Sequence, residues 1–265
     1  MAKERTTARI RPILHGILYI IAYVAWVYLV FQLCALIFGI LIRLIAGNNA
    51  STPLWTTLYE ALTYVATCLV VAIVPIFIAK KRRKVSSTPL RESLGLKGLP
   101  TFVDIGLAPV GFIIYFLLAA VLTALFSNFS WFNPSEVQEV GFNNYLYGSD
   151  LIIAFVALVV IAPIAEEIIF RGWLYHKLRV KITSLISKKN ARTRNIISII
   201  ISTIITSAFF GLLHGQWNVA VNVFALSVVL CALREITGTI YSGIILHMLK
   251  NGIAFYLLYI LHASA

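Results

Sequence analysis

Residues 151–175 read LIIAFVALVVIAPIAEEIIFRGWLY, an apolar run carrying Glu166, Glu167 and Arg171 within six positions. Its length suits a membrane-crossing helix, which needs about 20 mostly apolar residues. Charge inside such a helix is costly and marks a functional site by default. A helix places Glu167 and Arg171 one turn apart (i, i+4) with the acid first, the favourable order for an ion pair. Glu166 is rotated by about 100° from Glu167. The economical reading is that Arg171 neutralises Glu167 and leaves Glu166 to face a polar cavity. The bland alternative, a structural ion cluster holding helices together, suits an isolated Glu–Arg pair better than a pair with a second acid beside it.

The rest of the chain supports a membrane setting. Of 265 residues, 60% are hydrophobic and 12% are charged, and the mean hydropathy is +0.91. A soluble domain carries about a quarter charged residues. Further apolar segments run over 13–46, 55–79, 102–127, 196–213, 219–233 and 239–261. The expected fold is all-α: a polytopic bundle of about seven transmembrane helices, eight at most, with the chemistry in the last four. The first segment is too long for one upright span and too short for two, which predicts a tilted helix extending past the bilayer. Three units follow: 1–101 (two helices and a basic linker), 102–149 (a third helix and a polar loop) and 150–265 (the core).

The net charge of +12 is concentrated between these segments. Lys3, Arg5, Arg9 and Arg11, then Lys80 to Lys84, then Lys177, Arg179, Lys181, Lys188, Lys189, Arg192 and Arg194 form three clusters. Such clusters mark cytoplasmic loops facing anionic lipid. They give one orientation: the N-terminus, residues 80–101 and residues 176–195 inside, the C-terminus outside, in a cell membrane. No aromatic interleaving accompanies the basic residues, so nucleic acid is not an expected partner. Cys34, Cys68 and Cys231 lie in apolar runs without metal or disulfide spacing and read as packing residues.

Two histidines join the acids. His214 closes the fifth apolar run, in Phe210-Gly211-Leu212-Leu213-His214. His247 and Asn251, in His247-Met248-Leu249-Lys250-Asn251, share one face of the last helix. A shielded carboxylate acts as general base on a water, a histidine orients that water, and imidazole and amide N–H groups stabilise an oxyanion. The set therefore suits peptide hydrolysis. A Glu and two His also form a known zinc set, although HExxH is absent; residues alone leave the metal open. His15, His176 and His262 receive no role.

Glu166-Glu167-x-x-x-Arg171-Gly172, Phe210-x-x-x-His214 and His247-x-x-x-Asn251, in that order, resemble the CAAX protease and bacteriocin-processing (CPBP, or Abi) family of intramembrane endopeptidases. Arg234 to Ile240 also looks like the family's connection between its sixth and seventh helices. The resemblance covers roughly residues 150–255. It implies that Glu166 activates water with His214, that His247 and Asn251 form the oxyanion site, and that Glu167 and Arg171 support them. It implies a peptide or membrane-protein substrate in the bilayer and leaves the oligomeric state open. Family members are described both as zinc enzymes and as metal-independent glutamate proteases. No cofactor is favoured, with zinc the alternative, because Asn is a poor zinc ligand and a good oxyanion donor. Cleavage is expected within or next to the cytoplasmic leaflet. The rival readings are a non-catalytic scaffold or immunity protein and, last, a small transporter, for which no duplicated halves are apparent.

Depth arithmetic opposes the assignment. Entering from outside near Leu151, Glu166 lies about 23 Å in; entering from inside near Ile196, His214 lies about 27 Å in, towards the opposite face. Cooperating groups must meet directly or through one water, so either the fifth helix begins below the bilayer or one of the two helices is short, kinked near Pro163 or re-entrant.

Overall fold

The computed structural model describes residues 2–261 except 76, 79–91, 93, 137–145, 147 and 187–189, with the side chains of residues 2–12 also left out. The basic run Lys80 to Lys84, Lys188, Lys189 and His262 therefore lie outside the described residues. Helices and no strands occur among those described. Seven are long and apolar enough to cross a membrane, and the chain is a multi-pass membrane protein. They are α1 (Ala2–Ala46), α2 (Pro53–Ile73), α3 (Phe102–Phe126), α4 (Gly148–Leu185), α5 (Ala191–Leu212), α6 (Trp217–Thr237) and α7 (Tyr241–Ile260). The long first segment is one continuous helix, and the basic stretch after Tyr175 continues α4 to Leu185.

Local chemistry sets the helix ends. Pro53 occupies the first turn of α2, where its missing N–H has no intrahelical role. Thr101 and Asp104 form a reciprocal capping box on α3. Asn190 caps α5 by accepting from the N–H groups of Arg192 and Thr193. Gly238 ends α6 with φ of 69°, a conformation that glycine adopts without steric cost.

Packing is asymmetric in a way a bilayer explains. Large apolar side chains of α1 and α3, among them Leu29, Leu33, Ile113 and Phe116, are exposed, and lipid is their natural solvent. One buried core lies between α1, α2, α4, α5 and α6, and a second joins one face of α3 to α6 and α7. Backbones approach closely where glycines allow it: a Cβ at Gly211 would stand 2.6 Å from the Ala220 carbonyl oxygen, between α5 and α6.

Polar ties fix the helices against one another. Tyr115 on α3 donates to Asn222 on α6 at 2.6 Å, so Asn222 makes the helix–helix bond expected of such a residue. Arg179 on α4 bonds Glu235 on α6, and Ser198 and Asn195 on α5. Buried Asp104 accepts from Ser242 and Thr239, holding the start of α7.

Candidate active site

Helix α4 departs from α geometry twice. Val156–Ile161 and Ile168–Leu174 are π-helical, flanking the short α segment Ala162–Glu167. Such widened turns recur at functional sites. The first has a local cause and a local repair. Ala162 N–H bonds the Ala157 carbonyl, five residues back. The same register aims residue 163 at the Leu158 carbonyl, but Pro163 has no N–H to give. Asn251 fills the vacancy: its Nδ2 donates to the Leu158 oxygen at 3.0 Å. A carbonyl only accepts, which fixes the amide orientation and leaves a second N–H. Asn251 lines the cavity described below.

The α segment carries Glu166 and Glu167 and the second widened turn carries Arg171, so three charged side chains lie in the core. Arg171 Nη1 bonds Glu167 Oε1 at 2.8 Å with both side chains fully buried. The guanidinium also lies over the Phe210 ring, 4.6 Å from its centroid. The expected i, i+4 pair is therefore present. Glu166 does not face wholly elsewhere, however. His247 sits between the two acids, with Nδ1 3.1 Å from Glu167 Oε1 and Nε2 3.5 Å from Glu166 Oε2. One imidazole from α7 thus spans the angular offset between adjacent residues of α4. The carboxylate of Glu167 can only accept, so Nδ1 carries a proton and Nε2 addresses Glu166. Gly243, one turn before His247, makes room: a Cβ there would meet Glu167 Oε2 at 3.0 Å.

His214 stands in the turn between α5 and α6. Its Nδ1 donates to the Phe210 carbonyl at 2.9 Å, leaving Nε2 as the available nitrogen. Burial pulls its pKa below the ordinary 6.5, opposed by Glu166 and by the backbone hydrogen bond, and reinforced by Lys250 and His247. The neutral form is favoured, so Nε2 is an acceptor.

Glu166, His214, His247 and Asn251 all line one cavity of about 390 Å³. The depth conflict disappears when α4 and α5 are set level by a contact between them instead of by their ends. The Arg179–Asn195 bond sets the level of α4 against α5. From it, Glu166 is 13 residues up α4 and His214 is 19 up α5, about 20 and 29 Å. Both now rise the same way, and the remainder is within reach of side chains meeting across one cavity.

The sequence reading underrated the first helices. Phe31 of α1 and Tyr59, Glu60, Thr63 and Tyr64 of α2 form one wall of the cavity. The Tyr64 hydroxyl is in hydrogen-bonding contact with Glu166. Lys250, between His247 and Asn251, lines it as well. Glu60 and Lys250 carried a legible signal, being ionisable residues within apolar helices; Tyr64 carried none. The shape also departs from expectation. On α2 and α4 the lining residues precede Tyr64 and Glu166, and on α7 they follow His247. All lie level with Glu166 or beyond it, towards the end holding the 47–52 loop and the His214 turn. The other end is closed by Arg171, Phe210 and Leu174, all buried. The cavity therefore lies towards the end of the bundle opposite Lys177, Arg179, Arg192 and Arg194.

Among the described residues, no three His, Cys, Asp or Glu side chains are grouped to hold a metal ion. Of the Glu and two His read from sequence as a zinc set, Glu166 lies 3.5 Å from His247 Nε2, and His214 lines the same cavity.

Fold and site together define a multi-pass helical membrane protein that encloses two carboxylates and two imidazoles at the closed end of a cavity. Residues 148–253 match the family model of the type II CAAX prenyl endopeptidase Rce1-like proteins. That is the stretch from the start of α4 through most of α7, and it agrees with the resemblance read from the motifs. No curated protein and no solved structure matches the chain.

Proposed function

We propose that this protein is an intramembrane endopeptidase in which Glu166 activates water without a metal ion. The observation that carries the reading is His247, whose two ring nitrogens address Glu167 and Glu166 while Arg171 neutralises Glu167. Glu166 then stands beside an imidazole that Glu167 holds in place at the closed end of the cavity. When Glu166 takes a proton from water, its charge moves to the oxyanion of the attacked carbonyl. His247 and Lys250 line the same cavity and face the negative charge as it shifts. Electrostatic stabilisation of this kind, built in before reaction, is usually the largest catalytic term. Neutral His214 accepts through Nε2 and orients the water. The free amide N–H of Asn251 adds an oxyanion donor. Residues 150–265 supply this core, and α2 supplies a wall.

The substrate is a peptide segment lying in or at the bilayer. If the basic clusters mark the cytoplasm, the cavity meets it from the opposite side, in place of the cytoplasmic leaflet expected from sequence. The Rce1-like match supports proteolysis as the reaction class.

The test compares cells producing the wild-type protein with cells producing Glu166→Gln at equal levels, with peptides profiled by mass spectrometry. Peptides released only by the wild type are expected. Identical profiles, with both proteins folded, overturn the catalytic reading and leave a binding role for these helices.

A further inference from the structure

Four residues before Tyr64, and so on the same side of α2, Glu60 lines the cavity one helical turn beyond Glu166. Its carboxylate makes no hydrogen bond or ion pair among the described residues, and the phenols of Tyr64 and Tyr259 line the same space. Lys250 lines the same cavity, but its electrostatic partner is Glu166. An intramembrane carboxyl without a basic partner stays protonated until a cation comes beside it and holds it ionised. Beside it, Thr63 is 3% exposed, lines the cavity and has no hydrogen-bond partner for its hydroxyl. Two polar groups on adjacent faces of α2 are thus turned to the same space, and nothing in the described fold occupies them.

We infer that Glu60 and Thr63 form a subsite for a cationic group of the substrate, a lysine or arginine side chain or a terminal amine, next to the bond that Glu166 attacks. The inference rests on the peptidase reading for its position relative to cleavage. An ammonium or guanidinium entering this space exchanges its water for a carboxylate and a hydroxyl, whereas a neutral side chain leaves the carboxylate unmatched. Selection follows from that difference, because a site with an unpaired buried polar group rejects a ligand that fails to pair it. Glu60 therefore acts on which peptides bind, and Glu166 acts on whether they are cut.

The two claims separate experimentally. The full-length protein in nanodiscs, carrying Glu166→Gln so that nothing is cleaved, is titrated with two fluorescent pools of degenerate octapeptides. One pool has lysine at a fixed central position and the other has norleucine. The lysine pool is expected to bind about tenfold more tightly, a difference of about 1.4 kcal/mol. Adding Glu60→Gln is expected to abolish that preference while leaving norleucine binding within about twofold. Glu60→Asp, which keeps the charge, retains a preference and checks that the helix is intact. Equal binding of the two pools, or a preference that survives Glu60→Gln, overturns the subsite. Cleavage by the otherwise wild-type protein is read separately. If binding follows Glu60 but no peptide is cut, the peptidase reading fails and the cationic subsite stands.

Discussion

At the scale of single residues, the site is a set of side chains each held by a second bond. Arg171 is the clearest case. Removing it leaves Glu167 as an uncompensated charge in a fully buried position. Arg171→Met is therefore expected to destabilise the protein by about 3–5 kcal/mol, measured by unfolding in detergent. Adding Glu167→Gln should recover most of the loss, since no buried charge then lacks its partner. His214 gives a pH signature. Its folded pKa is below 6.5, so the unfolded chain takes up this proton first as pH falls. Stability from the neutral form is complete above 6.5 and declines as pH drops through 6.5 and then through the folded value. An NMR titration of the labelled imidazole should give a midpoint below 6.5; a midpoint above it contradicts the buried placement.

At the scale of elements, α4 is where sequence reading succeeded and stopped. The 25-residue apolar run, the acid-first pair and the isolated Glu166 were visible because helix periodicity and the cost of buried charge are local rules. The π turns were not visible, since they follow from how Pro163 and Asn251 meet across two helices. That meeting predicts a separable effect. Asn251→Ala should cost about 1–3 kcal/mol by orphaning the Leu158 carbonyl. Pro163→Ala in the same chain supplies an N–H to that carbonyl and should restore stability without restoring cleavage. Full recovery of both would mean that Asn251 only repairs the helix. Likewise, α2 looked inert because its threonines and tyrosines are ordinary membrane-helix residues. Only packing against α4 turns Glu60, Thr63 and Tyr64 into a cavity wall.

At the scale of the whole molecule, the one-sided cavity makes a topological prediction. With Cys34, Cys68 and Cys231 replaced and Leu258→Cys introduced at the cavity lining, a membrane-impermeant maleimide should label intact cells. Labelling only after the cytoplasmic side is opened would reverse the inferred orientation. The charges of α4 also bear on how the chain is made. A Glu or Arg at the centre of a helix raises the free energy of insertion by about 2.5–3.5 kcal/mol, and α4 carries three. Glu167 and Arg171 lie on the same helix, so they can neutralise each other in the translocon before any neighbour arrives. Glu166 has no such helper within α4; its imidazole comes from α7, synthesised some eighty residues later. Until that helix emerges, Glu166 lacks the imidazole that it meets in the finished fold. The residue assigned to the chemistry thereby also gives the last helix a reason to dock.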